Sequence, residues 1–156
     1  MKLLMDADCL IKLTKAGLKD FVGNRDTIFI PDVVQKEVVD AGKEKGCPDA
    51  FVVEKNIKAN IITIVKSYSD HTKGDDALIA LFRKKDYDTV ATDDAKLTRL
   101  LRIKGIPFIL PGLIIYHLLQ DNMINRKTAL WALKLLAEFI SEDEHSTVRL
   151  LMEKTK

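Results

Sequence analysis

Short apolar runs of β-prone residues alternate along the chain with longer stretches whose apolar residues recur three and four apart. Lys2 to Met5 is apolar and stops abruptly at Asp6, which suits a buried central strand. Thr27 to Ile30, Ile61 to Val65, Tyr87 to Thr92 and Ile106 to Leu110 are β-branched or aromatic and predict four more strands. Pro107, at the start of the last of these, suits a sheet edge. Between them the 3.6-residue period predicts helices. One carries Cys9, Leu10, Ile11 and Leu13 with Asp8 as its cap, and one runs from Val33 to Ala41 after Pro31. Ala50 to Ala59 is a short helix, Ala77 to Lys85 is opened by Gly74-Asp75-Asp76, and the last carries Leu97, Leu100 and Leu101 and is stopped by Gly105. Strands alternating with helices predict an α/β domain built on a five-stranded, mainly parallel sheet.

From Pro111 the alternation ends. Three helical patterns follow, Leu113 to Gln120, Lys127 to Ile140 and one from Glu142, with Asn125 capping the second and Ser141 with Glu144 fitting a capping box for the third. The expected organisation is a core over residues 1–112 and a helical extension over residues 113–156 packed on it. Trp131, Leu135, Leu136 and Phe139 read as core or as a homodimer contact rather than a base-stacking platform, since stacking residues lie in grooves beside basic side chains.

Acids stand where strands give way to helices. In a parallel sheet the carboxyl ends of the strands share one edge, so Asp6, Glu37, Asp76 and Asp94, with Asp8, Asp75 and Asp93 beside them, are expected to converge there. An acid directly after a buried strand, as Asp6 is, is costly to desolvate unless a cation or several donors meet it. Glu37 falls on the wheel between Val33 and Ala41, inside the apolar arc, which fits either a buried salt bridge or a site role. Helix dipoles favour acids in a first turn anyway, and the wheel does not settle whether Asp75 or Asp76 faces the cleft. Converging carboxylates repel without a cation, and an oxygen-only donor set suits Mg²⁺ or Mn²⁺.

The chain has 156 residues, 47% of them hydrophobic, enough for one domain with a real core. Its formal charge of +2 would leave a basic surround if the acids are gathered in one cleft, an arrangement that suits cations inside and a polyanion outside. Cys9 and Cys47 make neither a disulfide framework nor a metal-ligand spacing, which points to reduced thiols in a cytoplasmic protein. Asp6 and Asp8 interrupt the apolar start before the roughly 7 to 15 residues of a signal core, and no apolar run reaches the ~18 residues of a membrane span. His71, His117 and His145 are isolated and carry no assigned chemistry.

Four motifs, in order from about Lys2 to Leu110, resemble the PIN-domain family of ribonucleases: LLMDADCLIKL, IPDVVQKEVV, DDALIAL, and VATDDAKL followed by GIP. The resemblance implies a three-layer α/β/α sandwich. It selects Asp76 over Asp75, and Asp94 with the hydroxyl of Thr92. It also implies metal-dependent hydrolysis of RNA phosphodiesters by one or two Mg²⁺ or Mn²⁺ ions on Asp6, Glu37, Asp76 and Asp94. Asp94 or Asp76 would then orient the attacking water, and Thr92 would bind the phosphate or a metal-bound water. Lys12, Lys96, Arg99 and Arg102 are candidates for the RNA backbone, or simply an exposed helix face. The role implied is the toxin of a toxin-antitoxin pair, with an antitoxin protein as partner, or an RNA-processing enzyme. A PIN fold kept as a binding or assembly module without catalysis is the alternative. A haloacid-dehalogenase-type phosphatase fits less well, because Gly74-Asp75 follows a polar loop and Cys9 replaces the small residue expected after its paired aspartates.

Overall fold

In the computed structural model, which describes residues 1–67, 74–84 and 86–154, the five predicted strands form one sheet. They are β1 (Lys2–Met5), β2 (Thr27–Pro31), β3 (Ile62–Val65), β4 (Thr89–Ala91) and β5 (Phe108–Ile109). All neighbours are parallel, in the order β3-β2-β1-β4-β5. The order reverses at β1: the chain first builds outward through β2 to β3, then crosses to the other side for β4 and β5. Ligands of open parallel sheets bind at such a switch point, beyond the carboxyl ends of its strands.

The β1 side chains show why it is central. Leu3, Leu4 and Met5 are all fully buried, and each contributes about 1.5–3 kcal/mol through its burial. Leu3 and Met5 join Ile28, Ile30 and Ile62 on one face of the sheet, whereas Leu4 joins Val65 and Val90 on the other. The first face is covered by α1 (Ala7–Lys15), α5 (Pro48–Lys58), α8 (Pro111–Gln120), α9 (Arg126–Leu136) and α10 (Glu142–Lys154). The second is covered by α6 (Gly74–Lys84) and α7 (Ala95–Ile103), through Leu78, Leu81, Leu97 and Leu101. Two covered faces make three layers, α/β/α. Gly105 stops α7 as expected, at φ +64, with its N–H on the Arg102 carbonyl at 3.1 Å.

Several local expectations are corrected. The cap of α1 is Asp6 and not Asp8: the chain is still extended at Asp6 (φ −80, ψ 169), and its Oδ1 accepts the Cys9 N–H at 2.6 Å. The single helix expected from Val33 to Ala41 is instead α3 (Asp32–Gln35), a π turn over Lys36–Asp40 and α4 (Ala41–Glu44). A wide turn carries Val38 and Val39 inward together and leaves Glu37 exposed rather than enclosed. An additional helix, α2 (Lys19–Arg25), has no counterpart among the predicted elements.

Asn125 caps α9, accepting the Thr128 N–H at 2.8 Å. The capping box at α10 is only half formed. Ser141 Oγ accepts the Glu144 N–H at 3.1 Å, but the Glu144 carboxylate turns away to accept the Gly112 N–H at 2.7 Å, at the start of α8. Trp131 is 55% exposed and so is not core, while Leu136 is fully buried. The loop expected from Lys66 to Lys73, His71 included, lies mostly outside the described residues.

Candidate active site

Met5 pairs with Ala91 across β1 and β4, so Asp6 and Thr92 leave the sheet side by side. Thr92 is fully buried, and its hydroxyl donates a short hydrogen bond to Asp6 Oδ2. The Thr92 hydroxyl oxygen in turn accepts the Asp94 N–H at 3.2 Å. Asp6 is 7% exposed, with its other oxygen held by the Cys9 N–H. Asp94 caps α7 through the Leu97 N–H at 2.6 Å. Two helix N-termini therefore point at one spot, each with its first carboxylate attached. Thr92 has neither exposure nor a spare proton for a substrate phosphate; it braces Asp6 against the loop that carries Asp94.

A cavity of about 330 Å³ opens there, lined by Asp6, Asp8, Glu37, Asp75 and Asp94 together with Ala7, Val34, Gly74 and Leu78. Among the described residues five carboxylates line it, and no cationic side chain does. Glu37 comes from the π turn, and the Gly74 N–H supports its carboxylate. Of the two acids opening α6, Asp75 lines the cavity, whereas Asp76 is exposed and outside it. One step along a first turn rotates a side chain by about 100°, enough to move it from the cleft to solvent.

Electrostatics follow from this crowding. Burial pushes the Asp6 carboxyl from its ordinary 3.8 to about 7, against the Thr92 and Cys9 hydrogen bonds, and Asp8 and Asp93 add repulsion. Glu37, exposed yet set against the cavity wall, is also raised, first by this partial desolvation and then by the neighbouring Asp75 carboxylate. Oxygen donors that resist ionising together fit a hard divalent cation, which would restore their charged forms. Among the described residues no three His, Cys, Asp or Glu stand as a ready-made ligand set, so these acids would have to draw together on a cation.

Other expected contacts fall elsewhere. Lys12 reaches both oxygens of Asp93, at 2.7 and 2.6 Å, with both side chains largely buried, so this pair ties α1 to the β4–α7 loop. Neither lines the cavity. Lys96, Arg99 and Arg102 are exposed on α7, with Arg102 5.4 Å from the Phe108 ring centroid, and they too lie outside it. The residue that the sequence concealed is Glu144, only 6% exposed, its carboxyl raised by burial and also feeling Asp93 and Lys12. Its capping-box spacing pointed to a local role.

Among the described residues no helix is long and apolar enough to cross a membrane. A search of curated proteins finds no match to the chain. A family model described as a PIN domain matches residues 2–154, reaching from β1 to the end of α10. With nearly its whole length matched, its parallel sheet flanked by helices and its acids gathered at the carboxyl edge, the chain belongs to the PIN-domain family, whose members are generally nucleases.

Proposed function

We propose that the protein is a Mg²⁺- or Mn²⁺-dependent ribonuclease that hydrolyses phosphodiester bonds at the acidic cleft. The observation that carries this reading is the convergence of five carboxylates, with no cationic side chain among the described residues, on one cavity at the sheet's switch point. Asp6, Glu37, Asp75 and Asp94 would hold the cation, which when bound supplies a water of lowered pKa and neutralises charge on the phosphate. Asp75 takes the place that the sequence motif gave to Asp76, because it is the one facing the cavity.

The chain's own residues do the positioning. Thr92 fixes the Asp6 carboxylate through its hydroxyl and is itself fixed by the Asp94 N–H. Asp94, exposed and capping α7, orients the attacking water, while the N-termini of α1 and α7 add fixed positive potential for the phosphate. The Lys12–Asp93 pair keeps α1 and the β4–α7 loop in register, a positioning role rather than a contact with RNA.

The test is cleavage of labelled single-stranded RNA with Mn²⁺ or Mg²⁺, comparing the wild type with Asp6→Asn purified identically. Metal-dependent cleavage that EDTA abolishes and Asp6→Asn lacks is the expected result. Equal cleavage by both proteins would assign the activity to a contaminant or another site.

A further inference from the structure

Two helical faces leave the acidic cleft in parallel fashion and change character together. On α1, Asp8 lines the cleft, and Ile11 and Lys15 follow on the same face at helical spacing. Across the π turn and α4, Glu37 lines the cleft, and Ala41 and Lys45 follow. These faces, with the first turn of α5, enclose a second cavity of about 240 Å³ that shares Glu37 with the first. Each face thus runs from carboxylate through an apolar middle to ammonium. At about 1.5 Å per residue the lysines lie roughly 10–12 Å beyond the acids. Lys45 is exposed, and Lys15 is held on the wall, 3.8 Å from Asp49 and with its ammonium 4.6 Å from the Phe139 ring centroid.

We propose that this groove is a nucleotide subsite for single-stranded RNA, taking a base against Ile11 and Ala41 and the next phosphate at Lys45, while Lys15 stays paired with Asp49 on the wall. The proposal rests on the nuclease reading and deepens it. The order of chemistry matches a strand threaded outward from the scissile phosphate: cation-holding acids, an apolar floor for a base, then the exposed Lys45 for a phosphate. The cavity is smaller than the ~300–1,000 Å³ of pockets that enclose drug-sized ligands, and so is suited to one nucleotide rather than a duplex. Ile11 and Ala41 offer a base apolar contact alone, which a base held in a duplex does not reach.

The experiment uses the full chain and measures anisotropy of a fluorescein-labelled single-stranded oligoribonucleotide, in Ca²⁺, over a series of salt concentrations. Lys45→Ala is expected to lower the slope of log affinity against log salt by about 0.7, the loss of one phosphate contact on a single strand. Ala41→Leu, which fills the floor, is expected to raise Kd about tenfold with the slope unchanged, of the order of one lost base contact. Annealing the complementary strand should abolish the difference between wild type and Ala41→Leu. Unchanged slope in Lys45→Ala and unchanged Kd in Ala41→Leu would overturn the subsite. Hydrolysis of bis(p-nitrophenyl) phosphate with Mn²⁺, a diester lacking the flanking nucleotide, tests the nuclease reading separately. Its absence in the wild type sinks that reading, while the binding series still decides the groove.

Discussion

Asp6 carries opposite demands: it is buried, it caps α1, and it shares a cavity with four other acids. Its carboxyl, raised to about 7, keeps a proton in the folded chain at pH values where the unfolded chain, at roughly 3.9, has released it. The stability this contributes is complete below about pH 4 and is lost as the pH rises to about 7. The metal-free protein is therefore predicted to show a urea midpoint that falls between about pH 4 and pH 7 and levels off above it. Asp6→Asn should flatten that fall, leaving the smaller slope due to Glu37 and Glu144, which are raised in the same direction. Added Mn²⁺ should raise the midpoint most at the alkaline end, because binding requires the ionised carboxylates. A midpoint that rises with pH in the metal-free wild type would refute the burial account of Asp6. The positions of Asp6 and Asp94 were legible because both stand in strand-to-helix junctions, Asp6 directly after β1 and Asp94 three residues past β4, and strand ends share an edge. Whether Asp75 or Asp76 faces the cleft was not, since a first-turn wheel leaves the helix phase open and the motif favoured the exposed residue.

At the scale of elements, packing overrules propensity at Gly23, in the middle of α2. Ala is worth about 0.8–1.0 kcal/mol more than Gly inside a helix. A Cβ here, however, would stand 2.4 Å from Ile61 Cγ2, on a side chain that β-branching keeps stiff. Gly23→Ala is predicted to lower stability, by about 1–3 kcal/mol less the propensity gain; a rise in the thermal midpoint would show that Ile61 yields freely. Glu144 links α10 to the start of α8 in the same way that caps link neighbours within a chain segment. Removing its carboxylate leaves the Gly112 N–H without this acceptor in a buried place, so Glu144→Ala should cost about 1–3 kcal/mol, and Glu144→Gln, which keeps an acceptor oxygen, much less. At about 2–4 °C per kcal/mol for a chain of this size, calorimetry resolves the two. The five strands were readable because each is a short apolar or β-branched run, too short and without the 3.6-residue period of the helical stretches around it. The π turn was not, because Val33 to Ala41 keeps an acceptable 3.6-residue pattern and only tertiary packing of Val38 and Val39 shows the inserted register. Glu144 satisfied a local motif, which concealed its long-range partner.

Over the whole molecule, one apolar cluster runs from Leu3 and Met5 of the sheet through Leu13 of α1 to Leu118, Leu133 and Met152 of the last three helices. A chain cut after residue 112 would expose that face of the sheet, and it is predicted to aggregate or to lose fixed side-chain packing, read as collapse of near-ultraviolet dichroism with far-ultraviolet signal retained. In the intact chain the single Trp131, on α9, should report the same unfolding midpoint as backbone dichroism. Separate midpoints would mean that the terminal helices fold as an independent unit. The family match, over residues 2–154, covers the sheet and the terminal helices alike. The measurement that bears most directly on the account is a calorimetric titration of Mn²⁺ into the wild type, Asp75→Asn and Asp76→Asn at pH 7.5. The cleft geometry predicts binding by the wild type and by Asp76→Asn within a few-fold of each other, and a loss of about 10–100-fold or more in Asp75→Asn. Equal binding by all three, or loss in Asp76→Asn alone, would contradict the assignment of the cation to the cavity that Asp6, Glu37, Asp75 and Asp94 line.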